Sequence, residues 1–519
     1  MASSNSHANG AVSGHHDQQN ESDRVQVIFT SRNPEYQAKL PNQPFFIDTS
    51  FKRLDLSELA NALLKHDGMD EDKKVVFDFL IDDGTGGALL TKSIGHFLRK
   101  TGSSVENVLT LECIEATLPP EPKMTSDNKA WISSIAINSE TKRILVGGFD
   151  GTARVWNFSN TCEATLEHNR DTVNVAEAVP QFKLNQLLSS EENYAQMMEQ
   201  VNSRGPFSVK AAQWATPKYA LTGGLDTKIV QWQFTENSVN GQLEEERVCE
   251  FVGHFDAVNS ICVDTRGARM LSSSNDGTVK LWRVPLSEAA LSATEGDGII
   301  PATAQSDASG PAAKKRRQNA QQKDQKPIQR REALVSFGEQ KDIITCAIFD
   351  GKSPNTIFHS GGMDRSLRTW DMTSRDNIDT RLCDTAFLAL DASPATNLLA
   401  SGHAEPTVRV WDVRTSPAAH TGDANAVRLT LAKGGHRNWV TKVKWSPTSE
   451  HILASTSHDG NICIWDIRAP RAALFNVPAT DKARRKVFAM DWNGDYIVSG
   501  GEEAILRTHS FNAVTNNAK

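Results

Sequence analysis

The sequence has few of the residues and patterns that mark secreted, membrane or zinc-binding proteins. Its seven cysteines are scattered along 519 residues, and no two of them show the spacing of a zinc motif. An odd number of isolated cysteines is typical of a reducing compartment and argues against a disulfide framework. No run of 18 apolar residues predicts a membrane-spanning helix, and residues 1–23 lack the hydrophobic core of a secretion signal. We therefore expect no membrane association and a solvated tail over residues 1–23.

The signatures of several enzyme classes are missing as well. The fourteen histidines form no HExxH pair, and neither a P-loop nor a nucleophile elbow is present. The formal net charge is -7, so the chain as a whole is not a polycation that would seek nucleic acid. Because no pattern pairs a nucleophile with a base, we expect a protein that is not an enzyme and has no metal or cofactor of its own.

What the sequence does contain is a repeat in which an aromatic residue follows an acidic one after six positions. Apolar and polar residues alternate between the two, which is the period of a β-strand, and an apolar run with a Gly, Ser or Asp turn precedes each acid. Each unit therefore predicts a β-hairpin within a larger sheet. A weaker seventh copy has Glu503 and His509 in these places. The six stronger pairs are Asp150 and Trp156, Asp226 and Trp232, Asp276 and Trp282, Asp364 and Trp370, Glu405 and Trp411, and Asp459 and Trp465.

This repeat resembles the WD-repeat family, in which four strands form a blade and the blades close into a propeller. The resemblance implies seven blades over residues 125–512. It also implies that a His, a strand Ser or Thr, the acid and the Trp of one blade form a hydrogen-bonded chain. Such residues would make the propeller rigid and perform no chemistry. The best matches are His254 with Asp276, Trp282 and one of Ser272, Ser273 and Ser274, and His436 with Asp459, Trp465 and one of Ser455, Thr456 and Ser457.

A different pattern precedes the repeats. Seven blades of about 40–45 residues account for only about 300 positions, so a second domain is expected. Residues 24–118 read as strand, strand, helix, strand, short helix and strand, which is the order of a small α+β ubiquitin-like (β-grasp) domain. The helix is predicted by LDLSELANALLKH and the third strand by VVFDFLI. Prolines in residues 119–124 predict a stiff linker before the propeller.

A grasp domain followed by a WD propeller resembles the Notchless-like group of ribosome-biogenesis factors. Seven blades rather than eight favour its WD-repeat members in the Pescadillo and block-of-proliferation complex. The resemblance implies that the chain pairs with Pescadillo and the block-of-proliferation WD-repeat protein on the pre-60S particle. It also implies that the grasp domain offers an acidic side chain to Mg²⁺ held by the MIDAS domain of Midasin, an AAA ATPase. Asp82 aligns best with that acid and Asp83 is second, whereas DDGTGG without the resemblance reads as a hairpin turn.

Two segments interrupt the repeats. Residues 284–331 are poor in large apolar residues, and from Lys314 to Arg331 they contain eight basic residues and one acid. This composition predicts a nuclear import signal or a strip that contacts pre-rRNA, with an ordinary solvated loop as the alternative. Residues 169–208 form a second insertion, with a short helix predicted after Ser190 and no assigned role. The basic positions that we single out are Lys314, Lys315, Arg316, Arg317, Arg330 and Arg331.

Together with these patterns, the resemblance implies a non-catalytic adaptor of the nucleolus and nucleoplasm that Midasin pulls from the pre-60S particle. Two alternatives remain open at this point. The chain could be a ubiquitin-pathway substrate receptor, or its propeller could bind pre-rRNA directly.

Overall fold

The computed structural model describes residues 24–66, 75–81, 87–102, 107–168, 208–237, 243–286, 299–300, 328–338, 340–414, 427–432, 434–481 and 485–511. The chain divides into two compact units, the first mainly within Met1–Leu118 and the second comprising Pro119–Ile467 and Ala472–Phe511.

The first unit is a sheet packed against helices, as predicted, but the sheet has five strands rather than four because a two-residue strand at Ala88–Leu89 joins its edge. The sheet has the order β2-β1-β5-β3-β4. Its two central strands, β1 and β5, run parallel, and the other pairs are antiparallel. The elements are β1 (Arg24–Thr30), α1 (Pro34–Gln37), β2 (Phe45–Asp48), α2 (Arg53–His66), β3 (Phe77–Ile81), β4 (Ala88–Leu89), α3 (Ile94–Thr101) and β5 (Leu109–Glu115).

The apolar stripe of α2 closes the core of this unit. Leu56, Ala60 and Leu64 are fully buried against the aromatic rings of the sheet, of which Phe29 and Phe79 stack at 5.6 Å. The shorter helix α3 is fixed at both ends. The Ser93 hydroxyl accepts a hydrogen bond from the backbone N–H of His96, and Gly102 takes the left-handed conformation after the last turn. These contacts give the β-grasp fold that the sequence predicts.

The second unit is a propeller of seven sheets, which confirms the fold class. In every sheet an innermost strand pairs antiparallel with a second, the second with a third and the third with an outer strand. Blades one to three contain β7 (Ile132–Asn138), β8 (Arg143–Gly148), β9 (Thr152–Asn157), β10 (Cys162–Glu167), β11 (Val209–Thr216), β12 (Tyr219–Gly224), β13 (Ile229–Glu236), β14 (Leu243–Phe251), β15 (Val258–Val263), β16 (Arg269–Ser274), β17 (Val279–Arg283) and β20 (Val335–Phe337).

Blades four to seven repeat this arrangement. Their strands are β21 (Ile344–Phe349), β22 (Ile357–Gly362), β23 (Ser366–Asp371), β24 (Asn377–Leu382), β25 (Phe387–Ala392), β26 (Leu398–His403), β27 (Glu405–Asp412), β28 (Val427–Leu431), β29 (Val440–Trp445), β30 (Ile452–Ser457), β31 (Asn461–Asp466), β32 (Phe475–Pro478), β33 (Val487–Trp492), β34 (Tyr496–Gly501), β35 (Ile505–Ser510) and β6 (Glu121–Asp127).

The ring closes through the two ends of the propeller sequence. The innermost strands contact one another in sequence around the ring, and β33 of the last blade contacts β7 of the first. The outer strand of the seventh blade is β6, which precedes β7 in the chain and pairs with β35. The predicted linker over 119–124 therefore needs correction, since its last four residues, 121–124, belong to this strand. Pro122 is tolerated there because an edge strand can leave one amide side unpaired.

The segment between the third and fourth blades also differs in part from the prediction. Gln329–Arg331 form a strand, β19, that extends the second blade by pairing in parallel with β14. A two-residue strand, β18 (Ile299–Ile300), pairs with it. At the other end Val284 is buried, and its amide donates to the carbonyl of Ala268. Both ends of the predicted insertion 284–331 thus belong to the propeller.

Candidate functional site

The third blade contains a complete chain of buried hydrogen bonds between the residues that the repeat singles out. The His254 ring lies between two partners, with Nδ1 2.8 Å from Asp276 Oδ2 and Nε2 2.7 Å from Ser272 Oγ. The indole Nε1 of Trp282 donates to the same Ser272 hydroxyl at 2.8 Å. Of the three serines that the sequence left open, Ser272 is therefore the member of the chain.

The charges of this group suit a structural role. Burial lowers the pKa of His254, so the imidazole is neutral and each ring nitrogen has a partner. Burial by itself would raise the pKa of Asp276, but hydrogen bonds from His254 and Thr278 outweigh it and hold that pKa well below its ordinary value. A histidine whose two nitrogens are both engaged inside the fold has no nitrogen left for a substrate.

The sixth blade repeats the arrangement with Ser455 as the hydroxyl. His436 Nε2 lies 2.8 Å from Ser455 Oγ, and Trp465 Nε1 donates to that oxygen at 2.8 Å. His436 Nδ1 is 3.2 Å from Asp459.

A third such chain, in the second blade, was missed by the sequence analysis. His168 contacts Thr222 at 2.8 Å and Asp226 at 3.0 Å, and Trp232 donates to Thr222. Glu167 stands where the other two units have glycine, and residues 169–207 separate His168 from the strands of its blade. The signal in the sequence that could have identified this chain is a histidine directly before the insertion, which is followed by the acid and tryptophan of the second blade.

Three of the other four blades keep the tryptophan, and the seventh has His509 in its place. The fourth and fifth blades also keep the serine partner of the tryptophan, whereas the first blade changes it. Trp370 donates to Ser360 and Trp411 to Ser401, whose hydroxyl also contacts His403 at 2.7 Å. In the first blade Trp156 donates to the side chain of Asn128. Their acids bind cations within the blade: Asp150 binds Arg154, Asp364 binds Arg368, Glu405 binds Arg409 and Glu503 binds Arg507.

In the grasp domain, the acids expected to face a partner's metal follow a rigid strand. Every residue of β3 is buried, and β3 pairs with β5 on one side and with β4 on the other. Ile81 opposes Ala88, so the hairpin connection begins with Asp82 and Asp83. Both acids lie outside the described residues. Asp78 within the strand is buried and forms an ion pair with Arg53 at 2.7 Å.

The basic segment is divided by the structure. Lys314, Lys315, Arg316 and Arg317 lie outside the described residues. Arg330 and Arg331 belong to β19, where Arg330 is 3.3 Å from Glu250 and Arg331 is 4% exposed. These two arginines are thus built into the second blade rather than placed on an extended strip.

The described residues contain neither a metal-binding cluster nor a membrane-spanning helix. No group of three or more His, Cys, Asp or Glu side chains there is arranged to hold a metal ion. None of the helices in the described ranges has the length and apolar character that crossing a membrane requires.

Comparison with family models agrees with both units. Residues 25–98 match the NLE (NUC135) domain. Residues 121–157, 245–283 and 428–466 match the WD domain, G-beta repeat. The chain thus carries an NLE domain followed by WD repeats.

Similarity to curated proteins extends over nearly the whole chain. A protein of Scheffersomyces stipitis called ribosome biogenesis protein YTM1 is 28% identical over 92% of this chain and 96% of its own length. Proteins of the same name in Candida albicans and Schizosaccharomyces pombe are 29% and 28% identical, over 93% and 94% of this chain and 96% of their own lengths. The similarity therefore spans both units of this chain.

Proposed function

We propose that this chain is a non-catalytic adaptor of large (60S) ribosomal subunit biogenesis that acts in pre-rRNA maturation in the nucleolus and nucleoplasm. The observation that carries the proposal is the similarity over more than nine-tenths of the chain to proteins called ribosome biogenesis proteins. Similarity of this extent includes the NLE domain as well as the propeller, so it concerns the whole protein rather than a widespread repeat.

In this proposal the propeller is a rigid holder. Its polar residues at the repeat positions are buried and bonded to one another, as His254 is to Ser272 and Asp276. Such groups stabilise the blades and leave the surface for partners. The partners proposed are Pescadillo and the block-of-proliferation WD-repeat protein, which together with this chain would form a heterotrimer on the pre-60S particle.

The grasp domain is proposed as the handle for release. Midasin would bind this domain through Mg²⁺ held in its MIDAS domain. Asp82 would complete the coordination shell of the metal, and Asp83 is the second candidate. Support comes from the strand before them, because β3 is buried along its length and paired on both sides. A carboxylate that directly follows such a rigid strand is a suitable hard oxygen ligand for Mg²⁺. ATP hydrolysis in the partner would then pull the subunit off its particle.

A release experiment tests this proposal. Pre-60S particles are purified through the tagged full-length chain, incubated with Midasin and ATP, and the fraction of the chain set free is measured. We expect release of the wild type, with Asp82→Asn and Asp83→Asn compared separately. Asparagine keeps the turn-forming character of aspartate and removes the charge, so a loss in one variant identifies the ligand. Glu35→Gln changes an exposed acid elsewhere on the same domain and is expected to release normally.

The outcomes distinguish the proposed role in ribosome biogenesis from the proposed binding of Midasin through Asp82 or Asp83. Pre-60S particles that co-purify but release equally in every variant would support the ribosomal role and reject the acidic handle. Recovery of ubiquitin-ligase subunits without pre-60S particles would reject both and favour the substrate-receptor alternative.

A further inference from the structure

One face of the propeller carries a strip of aromatic rings that runs across three consecutive blades. Trp131 and Phe149 of the first blade lie 5.9 Å apart, and Phe149 lies 5.7 Å from Phe488 of the seventh blade. Phe488 is 5.5 Å from His458 of the sixth blade, which stacks on Trp439 at 5.7 Å. We call these five residues the aromatic strip. Trp131, Phe149 and Trp439 are 48%, 40% and 47% exposed, so the strip is open to solvent.

The propeller does not need these rings. The same backbone hydrogen bond links the residue after the second strand to the residue before the innermost strand in every blade, for example from His458 to Trp439 and from Glu502 to Lys486. Aliphatic and polar residues fill these places in other blades. The Phe488 position likewise holds Asn259, Thr345 or Thr441 elsewhere, and those side chains bond a carbonyl of the next blade. Large exposed rings at replaceable positions indicate a binding surface.

A cation also precedes three of the five residues of the strip. Lys129 precedes Trp131, Arg437 precedes Trp439 and Lys486 precedes Phe488, always by two residues. All three cations are exposed, and their side chains have no ion pair within the described ranges. Burial and the charge of Lys486 lower the pKa of His458, while Glu502 and Asp459 act in the opposite direction.

The nearby acids are already engaged. Asp127 accepts from the Lys129 amide at 2.9 Å and Asp150 binds Arg154 at 2.6 Å. Asp459 contacts His436, and Glu502 accepts from the Lys486 amide and pairs with Arg485. Among the described residues, none of these acids forms an ion pair with Lys129, Arg437 or Lys486, so the strip offers planar rings beside three exposed cations.

From this combination we propose that the aromatic strip binds single-stranded RNA, with bases stacked on the exposed rings and phosphates beside Lys129, Arg437 and Lys486. Interleaved aromatic and basic side chains are the pattern by which proteins hold single strands without reading their sequence. Phosphates accompany the bases of a nucleic acid at regular intervals and would pair with the three cations, whereas a protein partner would need acidic side chains at those places. The inference goes beyond the proposed function and does not depend on release by Midasin.

The test measures the anisotropy of a fluorescein-labelled oligouridylate of about 12 nucleotides, a length suited to such sites, on titration with the full-length chain. Every protein carries alanine at Lys314–Arg317, which removes the separate basic run. Trp131→Ala and Trp439→Ala are each expected to weaken binding about 5- to 100-fold, the range for loss of one stacked base. Trp439→Phe should retain most of the affinity. Phe255→Ala is the matched control, because Phe255 is an exposed ring on the third blade, outside the strip.

The cations have their own readout. With Lys129→Gln, Arg437→Gln and Lys486→Gln combined, the slope of log Kd against log salt should fall by about 2, or about 0.7 for each lost phosphate contact. The proposal is overturned if the wild-type background does not bind the oligonucleotide, or if both tryptophan variants bind as it does. Loss of the block-of-proliferation partner in those variants, with RNA binding intact, would make the strip a protein interface instead. No arm contains Midasin or a particle, so failure here is distinct from failure of the release proposal.

Discussion

Replacement of Ser272 by alanine tests whether the buried hydrogen-bond chain stabilises the third blade. The hydroxyl accepts from Trp282 at 2.8 Å and lies 2.7 Å from His254 Nε2. Because Asp276 is bound at Nδ1, the neutral ring carries its proton there, and Nε2 accepts from the serine. Ser272→Ala therefore leaves one buried donor, the indole N–H, and one buried acceptor, the imidazole nitrogen.

The expected cost follows from these two groups. A buried polar group left without its partner costs about 1–3 kcal/mol, so Ser272→Ala should lower the free energy of unfolding by about 2–6 kcal/mol. Ser273→Ala is the matched control on the same strand. The Ser273 hydroxyl is equally buried, but it bonds only Ser260, which also accepts from the amide of Ala347. That change should cost about 0.5–1.5 kcal/mol.

Urea unfolding followed by circular dichroism gives the two values, and hydrogen exchange of the β16 and β17 peptides shows where the loss occurs. In the Ser272→Ala background, Trp282→Phe removes the orphaned donor, so the double variant should be less destabilised than the sum of the single changes. Equal losses in Ser272→Ala and Ser273→Ala, with no local change in exchange, would refute the reasoning.

Three further predictions follow from the structure and the sequence. Burial lowers the pKa of His403 from 6.5 to about 4, so between these two pH values the unfolded chain binds more protons than the folded chain. The free energy of unfolding should therefore fall as the pH drops from about 6.5 to about 4. Urea titrations should show a shallower fall for His403→Gln than for the wild type. Cys162 is the exposed thiol, whereas burial raises the pKa of Cys113 to about 12, so a thiol reagent should show one fast phase that Cys162→Ser abolishes and Cys113→Ser leaves intact. Alanine at Lys314–Arg317 should reduce nuclear accumulation of the full chain in fluorescence images, and unchanged accumulation would mean import by another signal or on a partner.

Much of the fold could be predicted because its signals are local. The six positions from Asp276 to Trp282 in the sequence are the length of a tight turn followed by one short strand. The recurrence of this spacing predicted a hairpin in every blade. The closure of the ring was not predictable in the same way. Strand β6 lies nearly four hundred residues from its partner β35 and does not contain the acid-to-tryptophan spacing of the repeat, so the prolines in and before it suggested a linker.

The sites were predictable to different extents. Ser272 could be narrowed to three serines but not chosen, because the choice depends on which hydroxyl reaches both His254 and Trp282. His168 was missed because a long insertion separates it from its blade. The aromatic strip joins side chains from blades one, six and seven, and neither Trp131 nor Trp439 is unusual until the fold brings them to one face.

The proposed release by Midasin depends most directly on an acidic side chain of the grasp domain, Asp82 or Asp83. The decisive measurement is the binding of the full-length chain to the MIDAS domain of Midasin, in Mg²⁺ and in chelator, for the wild type, Asp82→Asn, Asp83→Asn and the control Glu35→Gln. The account predicts binding that requires the metal, that is lost in Asp82→Asn or, as the second choice, in Asp83→Asn, and that persists in the control. Binding that is indifferent to chelator, or that survives in both aspartate variants, would contradict it.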